Sequence, residues 1–136
     1  MKEFKEFIVP IDSINPNPWN PNKMDAKIYD DLKEWMGNIG NLYPIIVWNE
    51  TRMILDGEHR WRALKDRGET ECKVYLLQTT DIIEIAEKYG VKTNDLNKTA
   101  EAVARIITVK MNNVRGDDDP ILFAKLMKEI TDNIST

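Results

Sequence analysis

Three basic residues follow Gly57 closely: His59, which is the only histidine of the chain, Arg60 and Arg62. The apolar residues before this glycine predict a strand, and the residues after it, as far as Gly68, predict a helix. A helix start presents unpaired backbone N–H groups and the positive end of the macrodipole, and a glycine lets a ligand approach that backbone closely. The order of strand, glycine and basic helix start therefore predicts a site that suits a phosphate.

A purely structural interpretation of the same stretch stays open. Charged residues are common at helix starts, and Glu58 would favour the helix dipole without any ligand. Trp61, Ala63 and Leu64 have the spacing of a core-facing helix surface. The stretch also lacks the glycine count of a P-loop.

Three segments together resemble one known family. Residues 56–63 (DGEHRWRA) look like the Gly-Glu-Arg-Arg-x-Arg-Ala box of the ParB/sulfiredoxin-like superfamily, which includes archaeal free-serine kinases. Residues 40–47 (GNLYPIIV) are similar to its Gly-x-x-x-Pro-[IV]-x-V box, and residues 11–21 (IDSINPNPWNP) to its entry segment. With the predicted strand 72–77, which closes the domain, the resemblance covers roughly residues 8–77.

The resemblance implies a nucleotide pocket, because the two boxes form a cytidine-nucleotide site in ParB proteins. CTP with magnesium is then the favoured ligand. A further stretch, residues 111–116 (MNNVRG), is similar to the Glu-Asn-x-x-Arg motif that holds the magnesium triphosphate, but Met111 stands where that glutamate would be. A thioether neither binds magnesium well nor positions water, so binding without hydrolysis is expected. The implied binding residues are Gly40, Pro44, Gly57, Glu58, His59, Arg60, Arg62 and Asn112.

Composition limits the classes of partner and site. A net charge of -4 and a pI near 5.1 give no global attraction to nucleic acid, so DNA would be contacted through a local patch or a partner. One cysteine allows no internal disulfide, and one histidine with one cysteine cannot form a zinc site unaided, so no metal site is predicted within the protein. No apolar run reaches the length needed to span a bilayer, and the first residues lack a signal-peptide core, which predicts a cytoplasmic protein without membrane contact.

The expected fold class is α+β: a small mixed sheet with packed helices in residues 1–78, followed by a helical region in 79–136. Strands are predicted at 7–11, 43–48, 53–56 and 72–77, the middle two pairing as a hairpin. A helix over 25–39 carries an apolar stripe expected to face the core, formed by Ile28, Leu32, Trp35, Met36 and Ile39. Trp48 and Trp61 could stack on a base or belong to the core.

The helical region permits several interpretations. A helix over 81–89 and a second from about 94, around Gly90, have the shape of a helix-turn-helix with Ala86 and Leu96 as packing positions. The second helix carries acids beside its basic residues, which favours plain helical packing over DNA recognition. Asp117 to Asp119 are expected to begin a final helix over 121–134 rather than to bind a metal. The last two helices would serve a homodimer contact or an intrachain hairpin.

The leading functional hypothesis is a nucleotide-binding module in DNA partitioning or in plasmid or phage regulation. A phosphotransferase is an alternative, because archaeal serine kinases carry an Asp-Gly-x-His-Arg stretch similar to residues 56–60. A scaffold with a vestigial pocket is another, so enzymatic activity is left open. Sulfiredoxin chemistry is not expected, because Glu58 stands where that enzyme has its cysteine.

Overall fold

Four strands form one mixed sheet in the computed structural model, which describes residues 3–19, 25–39, 44–88, 90 and 95–115. They are β1 (Glu6–Pro10), β2 (Ile45–Trp48), β3 (Met53–Asp56) and β4 (Glu71–Leu77), in the spatial order β1-β4-β2-β3. β2 runs parallel to β4, while β1 is antiparallel to β4 and β3 is antiparallel to β2. The prediction of a small mixed sheet is confirmed, and β1 and β3 are its edge strands.

The described residues form four α-helices: α1 (Ala26–Ile39), α2 (Glu58–Asp66), α3 (Thr79–Lys88) and α4 (Leu96–Arg115). The chain divides into two compact units, of which one comprises Met1–Asn17 with Met24–Leu77 and contains the whole sheet, α1 and α2. The other comprises Pro18–Lys23 with Gln78–Thr136 and contains α3 and α4. Every helix among the described residues falls short of the length and apolarity required to cross a bilayer.

The hairpin of β2 and β3 brings two distant parts of the sequence together. Ile46 is paired with Asp56, and Val47 with Ile54, with a β-bulge between the two pairs. Because the strands are antiparallel, the beginning of β2 lies beside the end of β3. The residue before β2 and the residues after β3 are therefore neighbours at one end of the hairpin.

The core of the sheet unit lies between one sheet face and the two helices that connect its strands. Ile45, Val47, Ile54 and Val74 are fully buried on that face. Burying such side chains supplies most of the stabilisation of a small α+β unit.

The predicted apolar stripe of α1 is partly wrong. Met36 is buried, and Leu32 packs against the core together with Tyr29, which was not predicted. Ile28 is instead 53% exposed and Trp35 45% exposed. The face of α1 that packs on the core follows the spacing 29, 32 and 36, so Ile28 and Trp35 lie to the side of it.

In the helical unit, α4 buries a face of small and β-branched side chains. Ala100, Val103, Ala104 and Thr108 are buried. The Thr108 hydroxyl donates to the Ala104 carbonyl at 3.1 Å, which satisfies this buried polar group inside the helix. Leu96 is 67% exposed at the start of α4 and is not the packing contact that a helix-turn-helix would require.

Several predicted features lie outside the described residues. These are Gly40, the acidic stretch 117–119 and the final helix over 121–134. Asn112 lies in α4, but its side chain is outside the described part.

Candidate nucleotide site

The candidate site is the junction of β3 and α2, where Gly57 is the N-cap residue of the helix. Gly57 has φ 100° and ψ 22°, a left-handed conformation that L-residues with a side chain rarely adopt. The first α-helical bond runs from the Trp61 N–H to the Gly57 carbonyl at 2.9 Å. A glycine has no side chain with which to cap the N–H groups of the first turn, so this helix start is suited to an external acceptor such as a phosphate.

The space left by the missing Cβ of Gly57 is occupied at its edge by an arginine. An ideal Cβ would lie 2.7 Å from Nη2 of Arg60 and 3.2 Å from Cγ1 of Ile45. The first of these distances is shorter than any real Cβ contact, so a side chain at position 57 would have to displace the guanidinium group. The glycine therefore makes both the turn and the approach of Arg60 possible.

Arg60 lies on the inner side of the first helical turn. Its Nη2 atom donates to the Pro44 carbonyl oxygen at 3.2 Å and lies 3.6 Å from Oδ2 of Asp56. The side chain of Asp56 is 3% exposed and that of Arg60 is 12% exposed, so both charges are largely removed from water. The closeness of the two opposite charges offsets part of the cost of burying them.

Glu58 connects the entry segment, here called the entry loop, to the same helix start. The backbone N–H of Asn17 donates to Oε1 of Glu58 at 2.9 Å, and Oε2 lies 3.8 Å from Nη2 of Arg62. The loop is also held to the outer edge of β3, because the Ile54 N–H donates to the Asn15 carbonyl at 2.9 Å. Asn15 and Asn17 therefore lie beside the candidate site.

His59 and Arg62 are the basic side chains at the outer side of the helix start. Arg62 is 52% exposed, and His59 is half-buried. Burial lowers the pKa of His59 below its ordinary value, and the nearby charge of Arg62 lowers it further, against a smaller opposite effect of Glu58. The ring is therefore neutral near pH 7, able to donate one hydrogen bond but carrying no charge.

The two candidate stacking residues belong to the interior. Trp48 is 8% exposed and Trp61 is 7% exposed. The Trp61 indole Nε1–H donates to the Ile11 carbonyl at 2.8 Å, which satisfies its polar atom inside the core. The core interpretation of these two residues is therefore correct.

The structure brings most of the predicted site residues to one place and adds two that the sequence did not single out as binding residues. Pro44, Gly57 and the charged residues of the first helical turn lie together at the end of the hairpin. Asp56 and Asn17 are the additions. Asp56 could have been found from its position four residues before Arg60, whereas the loop contact of Asn17 spans 41 positions and leaves no local signal.

The chain matches a known family over most of its length. The family model described as the ParB N-terminal domain matches residues 3–89. A probable chromosome-partitioning protein ParB from Campylobacter jejuni is 26% identical over 132 residues, which cover 93% of this chain and 48% of that protein. A probable chromosome-partitioning protein ParB from Rickettsia felis is 38% identical over 100 residues, covering 70% of this chain and 34% of that protein. The chain therefore spans about half, or less, of the length of these relatives.

A solved structure gives a similar result. The C-terminally truncated chromosome-partitioning protein ParB from Caulobacter crescentus, complexed with CTP-gamma-S, is 26% identical with a TM-score of 0.52. The similarity covers 74% of this chain and 60% of that chain. Together these matches confirm the resemblance to the ParB/sulfiredoxin-like superfamily that the sequence motifs indicated.

Proposed function

The chain belongs to the ParB N-terminal domain family, and from that premise we propose that it binds a nucleoside triphosphate, with CTP favoured, at the start of α2. The observation that carries the proposal is the left-handed Gly57 N-cap, which makes no side-chain cap hydrogen bond at a basic helix start. The Caulobacter crescentus relative was solved with CTP-gamma-S, which supports this choice of ligand.

The proposed binding residues divide by position. Gly57, His59 and Arg62 surround the phosphates, together with the backbone of the first helical turn. The Gly40–Pro44 segment lies against the base or the sugar. Glu58 and Arg60 lie at the same helix start, where Glu58 accepts a hydrogen bond from the Asn17 N–H and Arg60 donates one to the Pro44 carbonyl. Asn112, in α4, is proposed to contact the triphosphate.

The charges at the helix start explain why magnesium would accompany the nucleotide. Asp56 and Glu58 offset Arg60 and Arg62, and His59 is neutral near pH 7. The site therefore offers backbone dipoles and hydrogen-bond donors but little net positive charge. A triphosphate brings several negative charges, and Mg²⁺ is the cation that usually neutralises them. We therefore expect affinity for CTP to fall strongly when magnesium is chelated.

The first experiment is a thermal-unfolding measurement of the purified chain with magnesium and, separately, CTP, ATP, GTP or ADP. A ligand at one hundred times its dissociation constant stabilises the folded state by about 2.7 kcal/mol, equivalent to an increase in Tm of roughly 5 °C or more. An increase with CTP and magnesium, absent with magnesium alone, is the expected result. An increase only with adenine nucleotides would contradict CTP preference, and no increase with any nucleotide would favour the scaffold with a vestigial pocket.

DNA is the second proposed partner, in a role in DNA partitioning or in plasmid or phage regulation. The acidic composition requires a local patch or a partner protein for that contact. Fluorescence anisotropy with a labelled duplex, with and without CTP and magnesium, tests direct binding by this chain. The relatives described above are partitioning proteins, and they give no support to the phosphotransferase alternative.

We further propose that the sheet-containing part, predicted as residues 1–78, carries the nucleotide pocket in a cytoplasmic protein. A homodimer formed through the helical part, predicted as residues 79–136, is the proposed assembly. Analytical ultracentrifugation with and without nucleotide would measure it.

A further inference from the structure

The two edges of the sheet differ in how they are covered. β3 forms one edge, and the entry loop runs along it: the Ile54 N–H donates to the Asn15 carbonyl at 2.9 Å, and the Asn15 N–H donates to the Arg52 carbonyl at 2.8 Å. β1 forms the other edge, and among the residues that the structure describes no strand pairs with its outer side. An uncovered edge presents backbone groups that are able to pair with another chain.

The register of β1 shows which of its backbone groups face that outer side. The Ile11 N–H donates at 2.9 Å to the carbonyl of Thr70, the residue before β4, so the odd-numbered residues of β1 direct their N–H and C=O groups towards β4. Glu6, Ile8 and Pro10 consequently direct theirs outward. Proline has no N–H to give to a ladder, so its presence at position 10 agrees with this assignment. Glu6 and Ile8 each offer one N–H and one C=O group to a partner strand.

Large apolar side chains stay exposed along the same edge. Phe7 is 42% exposed and Ile8 is 65% exposed. Because successive side chains of a strand point to opposite faces, these two residues present apolar surface on both faces of the sheet. A strand added at this edge would therefore gain apolar contacts as well as main-chain hydrogen bonds.

A second copy of the chain fits this edge in an antiparallel register with the two-fold axis at Phe7. Glu6 of each copy then lies opposite Ile8 of the other copy, and each such pair exchanges two main-chain hydrogen bonds. The two Phe7 side chains face each other on the axis, which is a favourable cross-strand pair. Lys5 lies opposite Val9. Each charged side chain therefore faces an apolar residue rather than a like charge.

The neighbouring registers are less favourable. An axis at Glu6 places two carboxylates opposite each other, and an axis at Lys5 places two ammonium groups there. An axis at Ile8 pairs Glu6 with Pro10, which lacks the N–H for one of the two hydrogen bonds. In the Phe7 register, by contrast, Glu6 of one copy shares a sheet face with Lys73 of the other, the β4 neighbour of Ile8. The charges and the proline thus select the axis at Phe7.

We infer that β1 is a self-association surface: two copies of the chain pair antiparallel through their β1 edges, with Phe7 on the two-fold axis, and join their sheets into one continuous sheet. The same residues are used on both copies, as in the two-fold dimers that predominate among oligomers. The contact requires no nucleotide, and it is separate from the homodimer proposed for the helical part.

The first test reverses charge on the axis. Analytical ultracentrifugation of the full chain without nucleotide gives the dimer Kd of the wild type, Phe7→Lys and Phe7→Glu. Each variant places like charges opposite each other and loses the aromatic pair, so its Kd should rise by about fivefold or more. An equimolar mixture of the two variants opposes a lysine to a glutamate and should associate about threefold or more tightly than either variant alone.

The second test removes a main-chain donor. Ile8→Pro deletes the outward N–H in both Glu6–Ile8 pairs and should raise the Kd by about fivefold or more, whereas this N–H makes no bond to β4. Ile8→Thr keeps the N–H and the branched side chain, and it is the matched control, with a smaller expected effect. Circular dichroism and the Tm establish that each variant is folded. If Ile8→Pro does not fold, the Phe7 variants and their mixture decide the result.

The outcomes separate this surface from the other proposed contact. Dimers of wild-type protein whose Kd does not respond to Phe7→Lys or Phe7→Glu would overturn the inference and leave the homodimer through the helical part. Equal weakening in both variants without recovery in the mixture would overturn the axis at Phe7. Wild-type protein that stays monomeric at every concentration would overturn the self-association surface without affecting the nucleotide site.

Discussion

The substitution Gly57→Ala would place a methyl group where the structure has a left-handed turn and a guanidinium group. The conformation at φ 100° costs a residue with a Cβ about 1–2 kcal/mol. The new Cβ would also lie 2.7 Å from Nη2 of Arg60, which must move away from Asp56 and Pro44. Loss of a hydrogen bond from a charged group costs about 1.5–3 kcal/mol. The free energy of unfolding should therefore decrease by about 2.5–5 kcal/mol.

A matched control separates backbone strain from crowding. Gly68 also has a left-handed backbone, with φ 84°, but a Cβ added there meets no atom within 4 Å. Gly68→Ala should consequently cost only the strain, about 1–2 kcal/mol. Urea unfolding of both variants, followed by circular dichroism, gives the two free energies, and their difference measures the crowding at Arg60.

Nucleotide titrations provide the second measurement on the same variants. Gly57→Ala should lose detectable binding of CTP with magnesium, whereas Gly68→Ala, at the other end of α2, should bind with nearly wild-type affinity. Equal destabilisation of the two variants would refute the crowding argument. Retained CTP affinity in Gly57→Ala would show that the helix start is not the phosphate site.

Three further predictions concern His59, Glu58 and Cys72. A bound phosphate raises the lowered pKa of His59, so binding takes up a proton. As the pH falls from about 8 to about 6, the Kd for CTP should therefore decrease by a larger factor in the wild type than in His59→Gln, as calorimetry would measure. Without ligand, His59 has a higher pKa in the unfolded chain than in the folded chain, so acid favours unfolding. At pH values below 6.5, the free energy of unfolding measured in urea should therefore decrease more in the wild type than in His59→Gln. Glu58→Ala removes the acceptor for the Asn17 N–H and should reduce the free energy of unfolding by about 1–3 kcal/mol, whereas Glu58→Gln keeps an acceptor and should reduce it less. Burial raises the pKa of Cys72 to about 11, so Ellman's reagent at pH 8 should label the native protein at less than about 1% of the rate in urea, and rapid native labelling would contradict the buried thiol.

Local patterns of the sequence were sufficient for the elements of the sheet unit. The short apolar runs at 45–48 and 53–56 form the two strands of the hairpin, and the glycine after Asp56 marks the start of α2. Such features depend on residues within a few positions of one another, where periodicity and turn chemistry act directly.

The orientation of α1 could not be predicted with the same certainty, for a physical reason. An apolar stripe on a helix is broad, and its spacing does not say which part of it faces the sheet. Tyr29 packs against the core and also donates its hydroxyl to Asp66 of α2, so an amphipathic side chain occupies a position that the hydrophobic pattern assigned to the flank. Ile28 and Trp35 are exposed in consequence.

A sequence motif reports which charged residues occur together, but not whether they face a ligand or one another. Glu58 and Arg60 are recognisable members of the motif, and both make contacts within the protein: Glu58 accepts from the entry loop, and Arg60 donates to the peptide before β2. These contacts join positions 41 and 16 residues apart, which no local pattern encodes. The positive charge available to a phosphate is therefore smaller than the motif indicates. The helix start is also held to the rest of the protein by contacts that the motif does not indicate.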